Sequence, residues 1–153
     1  MKRYHVVHCK PEKVQKIKGA LDAYNLAHVG AARNKSALLS LGAFSRKGKL
    51  IGGILGDIGC WNGMEVSTLW VDKKYRNRGI GTELLAQAEK WAIAEGATIV
   101  MVNTFSFQSV GFYQKQGYSN LGIIPDFSGG HQWVHFYKKL RDTTKLMICL
   151  DKA

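Results

Sequence analysis

Four consecutive stretches between Met64 and Val102 constrain this chain more than anything else in it. A β-prone run, Met64 to Val71, enters a basic turn with two glycines. A helical run, Ile80 to Glu95, leaves it, and an almost purely apolar run, Ala97 to Val102, follows. Two strands joined by a long helix pair in parallel, since a short turn cannot reverse the chain that way. The purely apolar second run is what a buried parallel strand requires. In the helix Ile80, Leu84, Leu85, Ala88, Trp91 and Ala92 form a broad apolar stripe, with Glu83, Gln87, Glu89 and Lys90 on the other side. Gly96 is placed to end it.

The turn reads Val71-Asp-Lys-Lys-Tyr-Arg-Asn-Arg-Gly-Ile-Gly-Thr82. It gathers Lys73, Lys74, Arg76 and Arg78 ahead of Gly79 and Gly81. Glycine lets the backbone approach a ligand with no Cβ in the way. A helix starting there presents unpaired N–H groups and its positive dipole end. The expectation is an anion site, for a phosphate or pyrophosphate. It is not a P-loop, because Gly-Lys-Ser/Thr is absent, and it lacks the third glycine of the dinucleotide fingerprint.

The rest of the chain predicts one domain over residues 1–140, long enough to bury a core, with no repeat and no linker. Tyr4 to Cys9 has the β-branched content of a short strand, and Pro11 suits the first turn of a helix. Val14, Ile17 and Leu21 recur at helical spacing, and residues 19–34 predict one or two short helices interrupted by glycines. Ser36 to Phe44 and Leu50 to Ile58 read as strands about an Arg46–Lys49 turn, and Asn62-Gly63 as the next hairpin turn. A short helix, Gln108 to Gln116, closes at Gly117. Strands Tyr118 to Ile124 and Gln132 to Lys139 follow, while residues 141–153 read as an extra strand or a tail.

No apolar run approaches a membrane span, and the start is too short in apolar residues for a signal peptide. Three scattered cysteines, Cys9, Cys60 and Cys149, predict reduced thiols and a cytoplasmic location. The net charge is +11, with 11 Lys/Arg against two acids in residues 1–50 and 11 against nine in the remainder. That imbalance fits an anionic partner, a nucleic acid or a solvated basic face. No nucleic-acid motif or series of aromatics among basic turns accompanies it.

Arg76-Asn-Arg-Gly-Ile-Gly81, with the amphipathic helix behind it, resembles the acyl-CoA motif of the GNAT N-acyltransferase superfamily. Phe107-Gln-Ser-Val-Gly-Phe-Tyr-Gln-Lys-Gln-Gly-Tyr118 resembles the second motif of that family, about thirty residues on, and the likeness covers roughly Leu50 to Leu140. The surroundings of Thr104–Gln108 and Gly130-His131 are similar to a branch of small bacterial acetyltransferases. The resemblance implies an α/β fold with a mixed, largely antiparallel sheet flanked by helices. It also implies acetyl-CoA as co-substrate, its pantetheine arm lying where Met64–Val71 and Ala97–Val102 diverge. Leu69, Trp70, Val71, Arg76, Asn77, Arg78, Gly79, Ile80, Gly81, Thr82 and Ser106 are the implied cofactor contacts. Ser106 stands where many relatives carry Asn.

Tyr113 matches the family tyrosine that acts as general acid toward the departing thiolate, a role open to a neutral phenol. Glu65 matches the position of a base, used directly or through water. The lysines of the first helix, Lys10, Lys13, Lys16 and Lys18, fall in the region that lines the acceptor side in that family. His131 and His135 share a strand face, but no third ligand is signalled and no metal is expected. The function implied is transfer of acetyl from acetyl-CoA directly to a primary amine of a small molecule or peptide. The competing readings are a basic nucleic-acid-binding module and a CoA-binding regulator without turnover. The sequence leaves the oligomeric state open, a homodimer included.

Overall fold

A computed structural model describes residues 3–29 and 36–140. The chain divides into two compact units, Met1–Ala32 and Arg33–Ala153. In the first, helix α1 runs Pro11–Val29 without a break at Gly19. One long helix thus replaces the expected pair of short ones, and residues 30–34 of that expectation lie outside the described residues. His28 Nδ1 lies 2.8 Å from the Tyr24 carbonyl, one turn back. Tyr4 to Cys9, expected as a strand, lies outside any strand, because β propensity becomes a strand only beside a ladder partner.

The second unit is a mixed α/β domain built on one six-stranded sheet. Strands β1 (Ala37–Phe44), β2 (Leu50–Ile58) and β3 (Gly63–Val71) form two hairpins. Helix α2 (Ile80–Ala94) leads to β4 (Ile99–Phe105), which pairs parallel with β3. Helix α3 (Val110–Lys115), β5 (Ser119–Phe127) and β6 (His131–Lys139) complete it, with strand order β1-β2-β3-β4-β6-β5. Every pairing except β3–β4 is antiparallel. Residues 141–153, expected as a strand or tail, lie outside the described residues.

The core lies between α2 and one face of the sheet. Leu84, Leu85, Ala88 and Ala92 of α2 are buried against Leu39, Ile54, Met64, Val66, Val100 and Val102. Each fully buried aliphatic side chain of this kind contributes about 1.5–3 kcal/mol of transfer free energy. Gly52 permits the close approach of the helix. A Cβ there would stand 3.1 Å from the Trp70 carbonyl oxygen and 3.3 Å from Ile80.

Two expectations change in detail. The apolar run of β4 buries one face only: Val100 and Val102 are core, whereas Met101 is 40% exposed. In the turn before β3 the left-handed residues are Trp61 and Asn62, and Gly63 is already extended. The asparagine tolerates positive φ, so the glycine is free to begin the strand.

Candidate active site

The parallel ladder between β3 and β4 runs from Gly63↔Ile99 to Val66↔Val102 and stops there. Beyond it the strands part, and a cleft of about 850 Å³ opens between them. Leu69, Trp70 and Val71 line one wall; Asn103 and Thr104 line the other. At its end sit Tyr75, Arg76, Asn77 and Gly79, with Ile80, Gly81 and Thr82 of the first turn of α2. Phe107, Gln108, Ser109 and residues of α3 close the remaining side.

The loop owes its shape to two left-handed residues. Asn77 has φ +60°, and Gly79, the N-cap of α2, has φ +81° and ψ −7°. Glycine and asparagine reach that region most easily. The Gly79 carbonyl accepts the Glu83 N–H at 2.9 Å, which opens the helical ladder. The N–H groups ahead of it have no intrahelical acceptor and remain for a ligand. Before the loop, Lys73–Tyr75 form a 3-10 turn capped by Asp72, whose Oδ1 accepts the Lys74 N–H at 3.0 Å. That bond, helped by Lys49 Nζ at 3.5 Å, holds the Asp72 carboxyl below the usual carboxylate range. Arg76 Nε donates to the Val71 carbonyl at 3.0 Å, fixing the side chain along the cleft. The Arg78 guanidinium lies 5.5 Å from the centre of the Tyr75 ring.

Tyr113 enters the cleft from α3 with its body in the core, 6% exposed. Its ring meets Phe112 and Tyr118 edge-on and Phe136 at a tilt, with centroids 5.2, 5.8 and 5.9 Å away. Burial pushes its phenol up to about 12, so the hydroxyl keeps its proton at any physiological pH. The Tyr118 hydroxyl donates to Glu89 Oε1 at 3.0 Å, while Lys138 Nζ lies 2.8 Å from Glu89 Oε2 and 3.1 Å from the Gln116 carbonyl. This knot ties α2, β6 and the end of α3 together behind Tyr113.

Nine of the expected cofactor contacts, Leu69 to Val71, Arg76, Asn77 and Gly79 to Thr82, therefore meet on one cleft. Arg78 turns to Tyr75. Ser106 is not on the cleft wall: its Oγ accepts the Gln132 N–H at 3.1 Å. Glu65 sits one register position before the strands part, exposed, opposite Asp57 on β2 and Met101 on β4. Asn103, Thr104 and Gln108 also line the cleft, though the sequence reading did not name them as contacts. Thr104 Oγ1 and the Phe105 N–H both donate to Gln108 Oε1 at 2.9 Å. His131 packs edge-on to Phe107, its ring centroid 4.6 Å away.

Residues 10–118 match the Acetyltransferase (GNAT) family model, and the chain belongs to that family. It is 40% identical over 89 residues to the blasticidin-S acetyltransferase of Streptomyces morookaense, a match covering 58% of this chain and 65% of that relative. An acetyltransferase structure from Bacillus cereus superposes with a TM-score of 0.82 at 29% identity, covering 92% of this chain and all of that one. A Bacillus anthracis structure described as a streptothricin acetyltransferase, in complex with acetyl coenzyme A, gives a TM-score of 0.63 at 25% identity. That alignment covers 71% of this chain and 65% of its own. No described helix is long and apolar enough to cross a membrane.

Proposed function

We propose that the protein transfers the acetyl group of acetyl-CoA directly to a primary amine of a small molecule of the antibiotic kind. The observation that carries this reading is the unfilled gap between β3 and β4, closed at one end by the Arg76–Gly81 turn. The Ser106 N–H donates to the Gln132 carbonyl across β6 at 2.9 Å. By strand alternation the main chain of Asn103 faces the gap, while that of Phe105 is taken up by Gln108. An arm with its own amides fits there as a surrogate strand, while the amides at the start of α2 hold the pyrophosphate.

The chemistry then needs a neutral amine. Its nitrogen attacks the thioester carbonyl, and the tetrahedral intermediate collapses with loss of the thiolate. The proton shed by nitrogen passes to Glu65, directly or through water, and the departing thiolate sulfur takes a hydrogen bond from Tyr113 and is protonated from solvent afterwards. A thiol near 8.5 binds its proton less tightly than a phenol at about 12. Tyr113 therefore acts mainly as a donor that strengthens as the sulfur gains charge. Support for a small-molecule acceptor comes from the blasticidin-S and streptothricin acetyltransferases among the similar proteins.

The test is thiol release from acetyl-CoA against a panel of amines including blasticidin S, streptothricin, polyamines and peptides. Turnover should appear with a small-molecule amine. Binding of CoA with no release across the whole panel would instead favour a non-catalytic CoA-binding role.

A further inference from the structure

Where β3 leaves β4, the Phe105 N–H loses the strand that would have accepted it. Gln108 fills the vacancy. The turn after β4 brings its carboxamide back, and one atom takes both the Phe105 N–H and the Thr104 hydroxyl at 2.9 Å. Because a backbone N–H can only donate, that atom is the carbonyl oxygen, which settles the orientation of the amide. Thr104 is buried in β4, 6% exposed, so the anchor is held firmly by the sheet. The Gln108 NH₂ group is left on the cleft wall with two donors and no protein partner among the described residues.

We propose that Gln108 is a ligand-binding residue of the cleft, donating from Nε2 to a carbonyl oxygen of the pantetheine arm. This rests on the acyl-CoA reading above. It places the carboxamide at position 108, two residues beyond Ser106, whose hydroxyl is committed to Gln132. Thr104 acts as a positioning residue, since it touches the amide and not the ligand.

The variant that separates ligand binding from a merely structural tie is Gln108→Glu. Glutamate keeps an oxygen for Thr104 and Phe105 but has no NH₂ to give. Calorimetric titration with CoA should show about a tenfold weaker Kd for Gln108→Glu and for Gln108→Ala, the loss of roughly one ligand hydrogen bond. Thr104→Val should weaken CoA by about threefold, because Gln108 keeps its Phe105 anchor. The adenosine bisphosphate fragment of CoA, which lacks the arm, should bind wild type and all three variants alike. This arm also reports whether the added charge or a folding defect is responsible. Wild-type CoA affinity in Gln108→Glu, or equal losses for CoA and the fragment, would overturn the assignment. A wild-type protein that binds no CoA would instead overturn the acyl-CoA reading beneath it.

Discussion

On the proposed reading, Tyr113 combines packing with chemistry in one side chain. Its ring sits among Phe112, Tyr118 and Phe136, and that burial keeps the phenol protonated. Tyr113→Phe preserves the shape and removes only the donor, so kcat should fall about a hundredfold with little change in the KM for acetyl-CoA. Turnover at the wild-type rate would move the general acid elsewhere. The wild-type rate should rise with pH as the acceptor amine loses its proton. It should show no loss from Tyr113 ionisation below pH 10. At Gly79 the constraint is the backbone, because a Cβ there meets open space while φ is +81°. Gly79→Val should therefore cost about 1–3 kcal/mol of loop strain and weaken CoA, whereas Gly79→Asn should retain most of the affinity. The place of Gly79 and Tyr113 on the cleft was legible because each sits in a local motif. That of Gln108 was not, since it depends on a turn that returns its amide to Thr104.

At the scale of elements, a polar knot fixes the end of α3, the helix that carries Tyr113. Glu89 of α2 accepts from Tyr118 and Lys138, and the Lys138 and Glu89 side chains are 30% and 17% exposed. Removing the carboxylate leaves a half-buried ammonium without its partner. Glu89→Ala should destabilise by roughly 1–3 kcal/mol, seen as a lower melting temperature and a lower kcat at saturating acetyl-CoA. The two buried phenols give the fold an alkaline limit. Burial raises the Tyr113 phenol to about 12, and burial with the Glu89 carboxylate raises that of Tyr118 further. Raised folded values mean that their contribution is intact below pH 10, where both states hold the proton. It is lost as the pH climbs toward 12 and the unfolded chain alone ionises. Denaturant midpoints should thus fall steadily above pH 10. Hairpins and α2 were readable from period and turn residues, and the parallel pair from its helical crossover. The one-faced burial of β4 was not, because Met101 is as apolar in sequence as its buried neighbours. Tyr4 to Cys9 misled for the opposite reason, its composition being that of a strand without a ladder.

For the molecule as a whole, the net charge of +11 acts on kinetics more than on fold. An anionic cofactor approaching a basic protein is steered at low salt, and the Debye length shrinks from about 30 Å at 0.01 M to about 8 Å at 0.15 M. The association rate of CoA should fall several-fold over that range, while its dissociation rate changes little. The central claim is narrower than any of these effects: the turn at Arg76–Gly81 and the gap between β3 and β4 together hold an acyl-CoA. Calorimetric titration of CoA into wild type and Gly79→Val tests it directly. We predict saturable one-to-one binding in wild type, weakened about tenfold or more in Gly79→Val. Equal CoA affinity in the two folded proteins would contradict it.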